Sequence, residues 1–288
     1  MTTWDALDAE LDRAPGTVSV YVGGLDAPPD YTRLPDVTHY AASTMKVAVL
    51  VAAYRATESG TIDLDAAIPV VNDFVSAAGD GSRYVNDPGY DDEQEVWTRL
   101  GGTAPLRWLA RRMIVRSSNL ATNLLIARLG LPAVAEVWRL AGATKSMTRR
   151  GIQDYAARDA GIDNLVTAAD LARLLGAIAV GATRPGPLAS REACAEMLDL
   201  LAEQEYRQDL AAGLPDRIRI AHKNGWMSGV RHSAGVVFPD DAPPYTVVVC
   251  TSDEHDPTGY DDEVACRLIA RVSAAAWAAR KAWTGGRA

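Results

Sequence analysis

The sequence predicts an α+β (α/β) fold: an antiparallel sheet flanked by helices, with an all-helical block inserted between the sheet's two parts. Three observations carry this. β-rich runs stand near both chain ends, at Val18–Val22 and again at Ile218–Lys223, Ser233–Phe238 and Tyr245–Thr251. One segment, Thr44–Ser59, is apolar nearly all round, and a helix without a polar face is buried on every side. From Ile62 to Leu210 the pattern changes to helices and long loops.

Taken in order, Trp4–Leu11 reads as an amphipathic helix closed by the Pro15-Gly16 turn. After the first strand, Gly23–Pro35 is a turn-rich connection and Val37–Ala41 is expected as a second strand. The apolar helix Thr44–Ser59 then forms the spine. Asp73–Asp92 is rich in Gly, Asp, Ser and Asn, and the acidic run Asp87–Glu95 is expected as a solvated surface loop. Helices are predicted over Leu106–Val115, Asn119–Leu129, Pro132–Ala141, Ala168–Gly181 and Ser190–Leu201. Ser146–Thr167 shows no sustained period and is expected as a long ordered loop, a feature that is usually functional. The three late strands form a meander, and Asp261–Trp283 is a closing helix.

At 288 residues, 48% apolar and 23% charged, the chain has ample sequence for a substantial core. Its formal charge of −8 and pI near 5.1 argue against a nucleic-acid partner, which needs a basic face. The N-terminus lacks the basic start and apolar run of a signal peptide, and Val47–Tyr54 is too short to cross a bilayer. A cytoplasmic location with no membrane partner is the expectation. Cys194, Cys250 and Cys266 show no metal-ligand spacing, and His39, His222, His232 and His255 are scattered, so neither metal nor cofactor is expected.

Three short segments carry chemistry. Ser43-Thr44-Met45-Lys46 sets a hydroxyl and an amine one helical turn apart on a shared face. An amine that loses its proton near neutral pH can take the serine's proton, and a cleft poor in water and lined by cations favours that loss. S-x-x-K alone is expected about once by chance in a chain of this length. Ser117-Ser118-Asn119 precedes an apolar helix; it reads either as helix capping or as a proton relay through Ser117, with Asn119 bonding Lys46 and a substrate amide. Lys223-Asn224-Gly225 ends a strand, where glycine lets an extended ligand lie against the backbone while Lys223 holds its carboxylate. Asn-Gly is also a hairpin signal, but the next clear strand begins only near Arg231, so a two-residue turn there fits poorly.

In this order and at these separations, the three segments resemble those of the penicillin-recognising serine hydrolases, most closely the class A β-lactamases. Met113–Leu125 looks like that family's S-D-N segment with its following helix, and the resemblance runs from about Leu7 to the final helix. It implies a β-lactamase/transpeptidase-like fold with a sheet part from residues 1–56 and 214–288, a helical part from 57–213, and the active site at the seam. It implies Ser43 as nucleophile, Lys46 as general base, Ser117 as proton relay, and an oxyanion hole from the backbone N–H groups of Ser43 and Trp226. The substrate would be a small acyl compound with a carboxylate, met by Asn119, Lys223, Asn224, Gly225 and Arg231.

The sequence departs from that family at several points. The glutamate that activates the deacylating water falls, by spacing from Ser117, at Gln153, and an amide cannot accept a proton as a carboxylate does. Either the adjacent Asp154 serves, or another group does, or the acyl-enzyme is long-lived. Ser118 replaces the middle aspartate, Asn224 a hydroxyl residue, and Trp226 a small residue; Arg231 or His232 is the candidate for an extra cation. Three readings follow: a β-lactamase-type hydrolase, an esterase, peptidase or acyltransferase on the same scaffold, and a slowly deacylating penicillin-binding-like protein.

Overall fold

In the computed structural model, which describes residues 3–25, 27–253 and 261–281, the chain opens with helix α1 (Thr3–Leu11) and strands β1 (Thr17–Gly24) and β2 (Pro29–Arg33). The two-residue strand β3 (His39–Tyr40) leads into a 3₁₀ turn, Ala42–Met45, which runs directly into α2 (Lys46–Glu58). The middle of the chain holds short strands β4 (Ala67–Pro69), β5 (Phe74–Val75) and β6 (Arg83–Tyr84), then helix α3 (Gln94–Trp97) and strand β7 (Thr103–Pro105). Helices α4 (Leu106–Val115), α5 (Asn119–Leu129), α6 (Leu131–Leu140) and α7 (Tyr155–Asp159) follow. Strand β8 (Leu165–Val166) precedes α8 (Ala168–Gly181) and α9 (Arg191–Ala202). Strands β9 (Arg219–Met227), β10 (Val230–Phe238), β11 (Tyr245–Ser252) and helix α10 (Asp262–Ala279) complete it.

Strands from both ends of the chain share one antiparallel sheet in the order β2-β1-β11-β10-β9, with Val20 opposite Val249 and Ala234 opposite Lys223. Alternation along each strand sends side chains to two cores. Val18, Val20, Val22, Val247 and Val249 meet Leu7 and Leu11 of α1 and Ile269 and Val272 of α10. Val248, Cys250, Ala234 and Val236 face the other way, into the core built around α2. That helix is enclosed from Lys46 to Tyr54, as its apolar circumference requires. No single described helix is long and apolar enough to cross a membrane.

Several expectations change. Gly23–Pro35 is not merely a connection: it contains β2, an edge strand pairing Thr32 with Tyr21 and Tyr31 with Val22. Its exposed, polar, proline-led sequence lacks a buried face, so only backbone pairing makes it a strand. The expected second strand shrinks to His39–Tyr40 and pairs with β8 rather than joining the large sheet. The loop 146–167 contains α7 and β8, both too short to impose a period; the Asn164 carboxamide oxygen ties it together by accepting from the Arg149 and Arg150 amides at 2.8 and 3.1 Å. The closing helix starts as expected, capped by Asp261, and ends at Ala279; Trp283 lies outside the described residues, as does His255.

Candidate active site

Ser43 sits on the 3₁₀ turn and Lys46 is the first residue of α2, so the short spacing between them is kept by local geometry alone. Lys46 is fully buried, because the helix it begins is buried on all sides. Its Nζ reaches across to the α4–α5 connection and donates to the Ser117 carbonyl at 2.6 Å, Ser117 Oγ at 3.2 Å and Asn119 Oδ1 at 2.9 Å. Burial pushes the amine down to about 7, against the opposing pull of the Asp91 and Asp92 carboxylates. A large neutral fraction near pH 7 makes it a competent base.

Ser117 Oγ also accepts from Lys223 Nζ at 3.1 Å, so the hydroxyl lies between two amines. Lys223 is fully enclosed and donates a second bond to the Asn224 carbonyl at 2.8 Å. Burial, and then the neighbouring Lys46, drives the Lys223 amine well below its ordinary value. Gly225 brings the edge strand against the turn that bears Ser43: a Cβ there would stand 2.6 Å from the Ser43 nitrogen and 3.0 Å from that of Thr44. Backbone approach of this kind is what the two-amide oxyanion arrangement of Ser43 and Trp226 requires. The hairpin turn lies beyond, at Ser228-Gly229, with Gly229 at φ +76°.

A cleft of about 640 Å³ gathers Ser43, Ser117, Asn119, Gln153 and Trp226, with Asp92 and Tyr90 on its wall. Four non-glycine residues among those described have positive φ: Leu34, Ala42, Ser117 and Gln153. The last three line this cleft. Left-handed backbone at a non-glycine residue is held only where surrounding structure enforces it, and such positions concentrate at functional sites.

Other expected site residues are turned away. Asp154 is not a stand-in base. Its carboxylate is fully buried, accepting from Ser76 Oγ at 2.6 Å and the Ala77 amide at 2.8 Å, and it caps α7 through the Ala157 amide. Consecutive residues point in different directions, and here Gln153 holds the cleft side. Asn224 and Arg231 are not presented to a substrate either, because strand alternation puts their side chains on the face opposite Lys223 and Gly225. Asn224 Nδ2 donates to Asp209 Oδ2 at 3.1 Å and to the Tyr206 carbonyl at 3.0 Å. Arg231 is paired with Asp209 at 3.0 Å and Asp262 at 3.2 Å. His232 bonds the Tyr40 carbonyl at 2.8 Å and is likewise enclosed.

Two residues escaped the sequence reading. Asp91 belongs to the acidic run expected as a solvated loop, yet it is buried, as is Glu93. Its Oδ2 accepts from the amides of Asn119 and Leu120 at 3.0 and 2.9 Å and from Ser118 Oγ at 3.3 Å. The acid absent at Ser118 is thus delivered from another loop, drawn to the positive end of α5. Asp209 is the second, a buried carboxylate with no motif to announce it. An isolated aspartate ahead of a short 3₁₀ turn, Leu210–Gly213, carries no such signal; an acidic run was the one available clue for Asp91.

The profile of the β-lactamase enzyme family matches residues 2–279. Among solved structures, a β-lactamase from Sphaerobacter thermophilus is 25% identical, with 96% of this chain and 97% of that one aligned at a TM-score of 0.78. The protein PBP-A is 23% identical over 97% and 96% of the two chains, with a TM-score of 0.76. A β-lactamase from Xanthomonas campestris pv. campestris is 18% identical over 97% and 98%, also at 0.76. None of the proteins with curated descriptions matches.

Proposed function

This chain belongs to the β-lactamase enzyme family, and from that footing we propose that it is a serine hydrolase acting on a lactam, amide or ester carbonyl through a covalent acyl-serine. The observation that carries the proposal is the hydrogen-bonded series Lys46 Nζ, Ser117 Oγ, Lys223 Nζ, closed to within 3.2 Å at both links beside the turn that bears Ser43. Neutral Lys46 takes the Ser43 proton as Oγ bonds to the carbonyl carbon, and the oxyanion accepts from the Ser43 and Trp226 amides. Collapse of the tetrahedral intermediate breaks the bond to the leaving group, which takes the Ser117 proton; the Lys46 ammonium restores that proton to Ser117. Each oxyanion donor of this kind is worth about 3–4 kcal/mol of barrier.

Release of the acyl group is where a second reading gains support. Gln153 Oε1 accepts from the Asp87 amide at 2.6 Å, which commits the oxygen and leaves the NH₂ as the group without a partner. That Nε2 is buried without a hydrogen-bond partner among the described residues. A donor there can hold an oxygen but cannot take a proton from water. With Asp154 committed elsewhere, the site favours a persistent acyl-enzyme, or transfer to an acceptor more nucleophilic than water. One solved structure of PBP-A, a single-residue mutant, is described as an acyl-enzyme complex with penicillin G. Intact-mass measurement over time after mixing with benzylpenicillin or an activated ester tests both readings. A single adduct on Ser43 that decays within seconds supports the hydrolase, and one that persists supports the second reading. No adduct with either reagent, from folded protein, rules out both.

A further inference from the structure

Strand β9 bears Trp226, the proposed oxyanion donor, yet it is the last strand of its sheet and pairs only with β10. Its distance from Ser43 is therefore set by what packs on its two faces. On one face Gly225 meets the turn that bears Ser43, with no room for a methyl group. On the other, side chains of β9 and β10 converge on Asp209, which opens the 3₁₀ turn Leu210–Gly213. That turn is itself seated on α10: a Cβ at Gly213 would run into the Ala270 carbonyl oxygen and stand 2.8 Å from Ser273 Cβ.

Asp209 is fully buried and does not line the cleft. Its Oδ1 accepts from the Leu210 amide at 2.8 Å and Ser233 Oγ at 3.1 Å, and its Oδ2 from Asn224 Nδ2 at 3.1 Å and Arg231 Nη2 at 3.0 Å. A carboxylate offers about four acceptor positions, and all are used. The donors bracket Trp226. Asn224 precedes it on β9, and Arg231 stands opposite it in register, with its guanidinium 4.9 Å from the indole. Tyr206, whose carbonyl also accepts from Asn224, meets the same indole edge-on at 4.9 Å. Resting on the acyl-serine reading above, we infer that Asp209 is a positioning residue for that reaction: without touching the substrate, it fixes β9 between α10 and the Ser43 turn and so sets where the Trp226 amide stands. An oxyanion donor works only at hydrogen-bond distance from the developing charge, so a small retreat of the strand slows the reaction. An asparagine of the same size cannot replace Asp209, because its NH₂ would face two of the four donors.

Single-turnover acylation by p-nitrophenyl phenylacetate separates position from stability, read by nitrophenolate release and by adduct mass on Ser43. Asp209→Asn should lower the limiting acylation rate by about tenfold or more. The concentration for half-saturation should change little, and the adduct should still reach one per chain. The pH midpoint should stay near that of the unsubstituted chain, since the carboxylates acting on Lys46 are Asp91 and Asp92. Ser233→Ala removes one donor to Asp209 and should lower the same rate by about threefold. It carries the test alone if Asp209→Asn does not fold. Leu11→Ala, a cavity in the core between α1 and α10, should lose stability with the limiting rate unchanged. A limiting rate unaltered in the folded variants overturns the inference and leaves the acyl-serine intact. So does a fall confined to half-saturation, a moved pH midpoint in place of a lower plateau, or an equal fall in Leu11→Ala. No adduct on the unsubstituted chain removes the acyl-serine reading and this inference with it.

Discussion

The Asp91 carboxylate lies across the first turn of α5, with its Oδ2 3.0 Å from the Asn119 amide nitrogen. Asn119 in turn accepts from Lys46, so a residue in the acidic loop holds the partner of this buried amine. Replacing Asp91 with Ala leaves the Asn119 and Leu120 amides of α5 without their acceptor and lets Asn119 move. A loss of about 1–3 kcal/mol in stability is expected, together with slower acylation. Adding Ser118→Asp to that variant should recover part of both, measured by urea unfolding and by adduct formation. Recovery of neither would show that Asp91 does not substitute for an acid at 118.

Lys46 predicts a pH profile. In the proposed mechanism the base is the neutral amine, so acylation rises as pH climbs through about 7 and levels above it. Stability moves the same way: with the folded value below the unfolded one, the unfolded chain binds the extra proton, and stability increases from pH 7 upward by up to about 1.4 kcal/mol per pH unit. Lys46→Met should abolish acylation while the chain still folds; acylation within about tenfold of the unsubstituted rate would contradict this account.

Gln153→Glu should accelerate adduct loss by tenfold or more. One carboxylate oxygen keeps the Asp87 amide bond and the other takes the place of the unpartnered Nε2, on a residue that lines the cleft. The check is the decay rate of the acyl-enzyme by intact mass; an unchanged rate puts Gln153 outside the water's path.

Gly225→Ala should stop acylation. The new methyl would press on the backbone nitrogens of Ser43 and Thr44, neither of which is a flexible side-chain end, so strand and turn must part. Initial nitrophenolate release from an activated ester reads this directly. Near-normal release would mean that the strand need not lie so close to the nucleophile.

Acid should destabilise the fold through three histidines. Burial lowers His39 to about 3 and His222 and His232 to about 4. Between pH 6.5 and about 4 the unfolded chain therefore binds more protons, and stability falls as pH drops, by about 1.4 kcal/mol per unit for each histidine. His222 is the cleanest probe, since neither ring nitrogen has a hydrogen-bond partner among the described residues. Urea unfolding at pH 7 and pH 5 should show a smaller difference for His222→Leu than for the unsubstituted chain.

Much of the architecture was written in local pattern. The apolar circumference of Val47–Tyr54 demanded a buried helix, and the β-branched runs near both ends demanded a shared sheet, because period and burial are tied to each other. Ser43 and Lys46 were found for the same reason: one turn of backbone fixes their relation. Strand β2 and helix α7 were missed, since neither buries a face of its own to leave a mark in the sequence.

Composition and spacing therefore carried the sheet, the central helix and the order of Ser43, Lys46, Ser117 and Lys223. Folding assigned everything that depends on which way a neighbouring side chain turns. It spent Asp154 on a helix cap, brought Asp91 to α5 and enclosed Arg231 with Asp209. The physical reason is common to all three. A carboxylate goes to the nearest unsatisfied donors in space, and donors contributed by distant segments leave no trace in the order of residues along the chain.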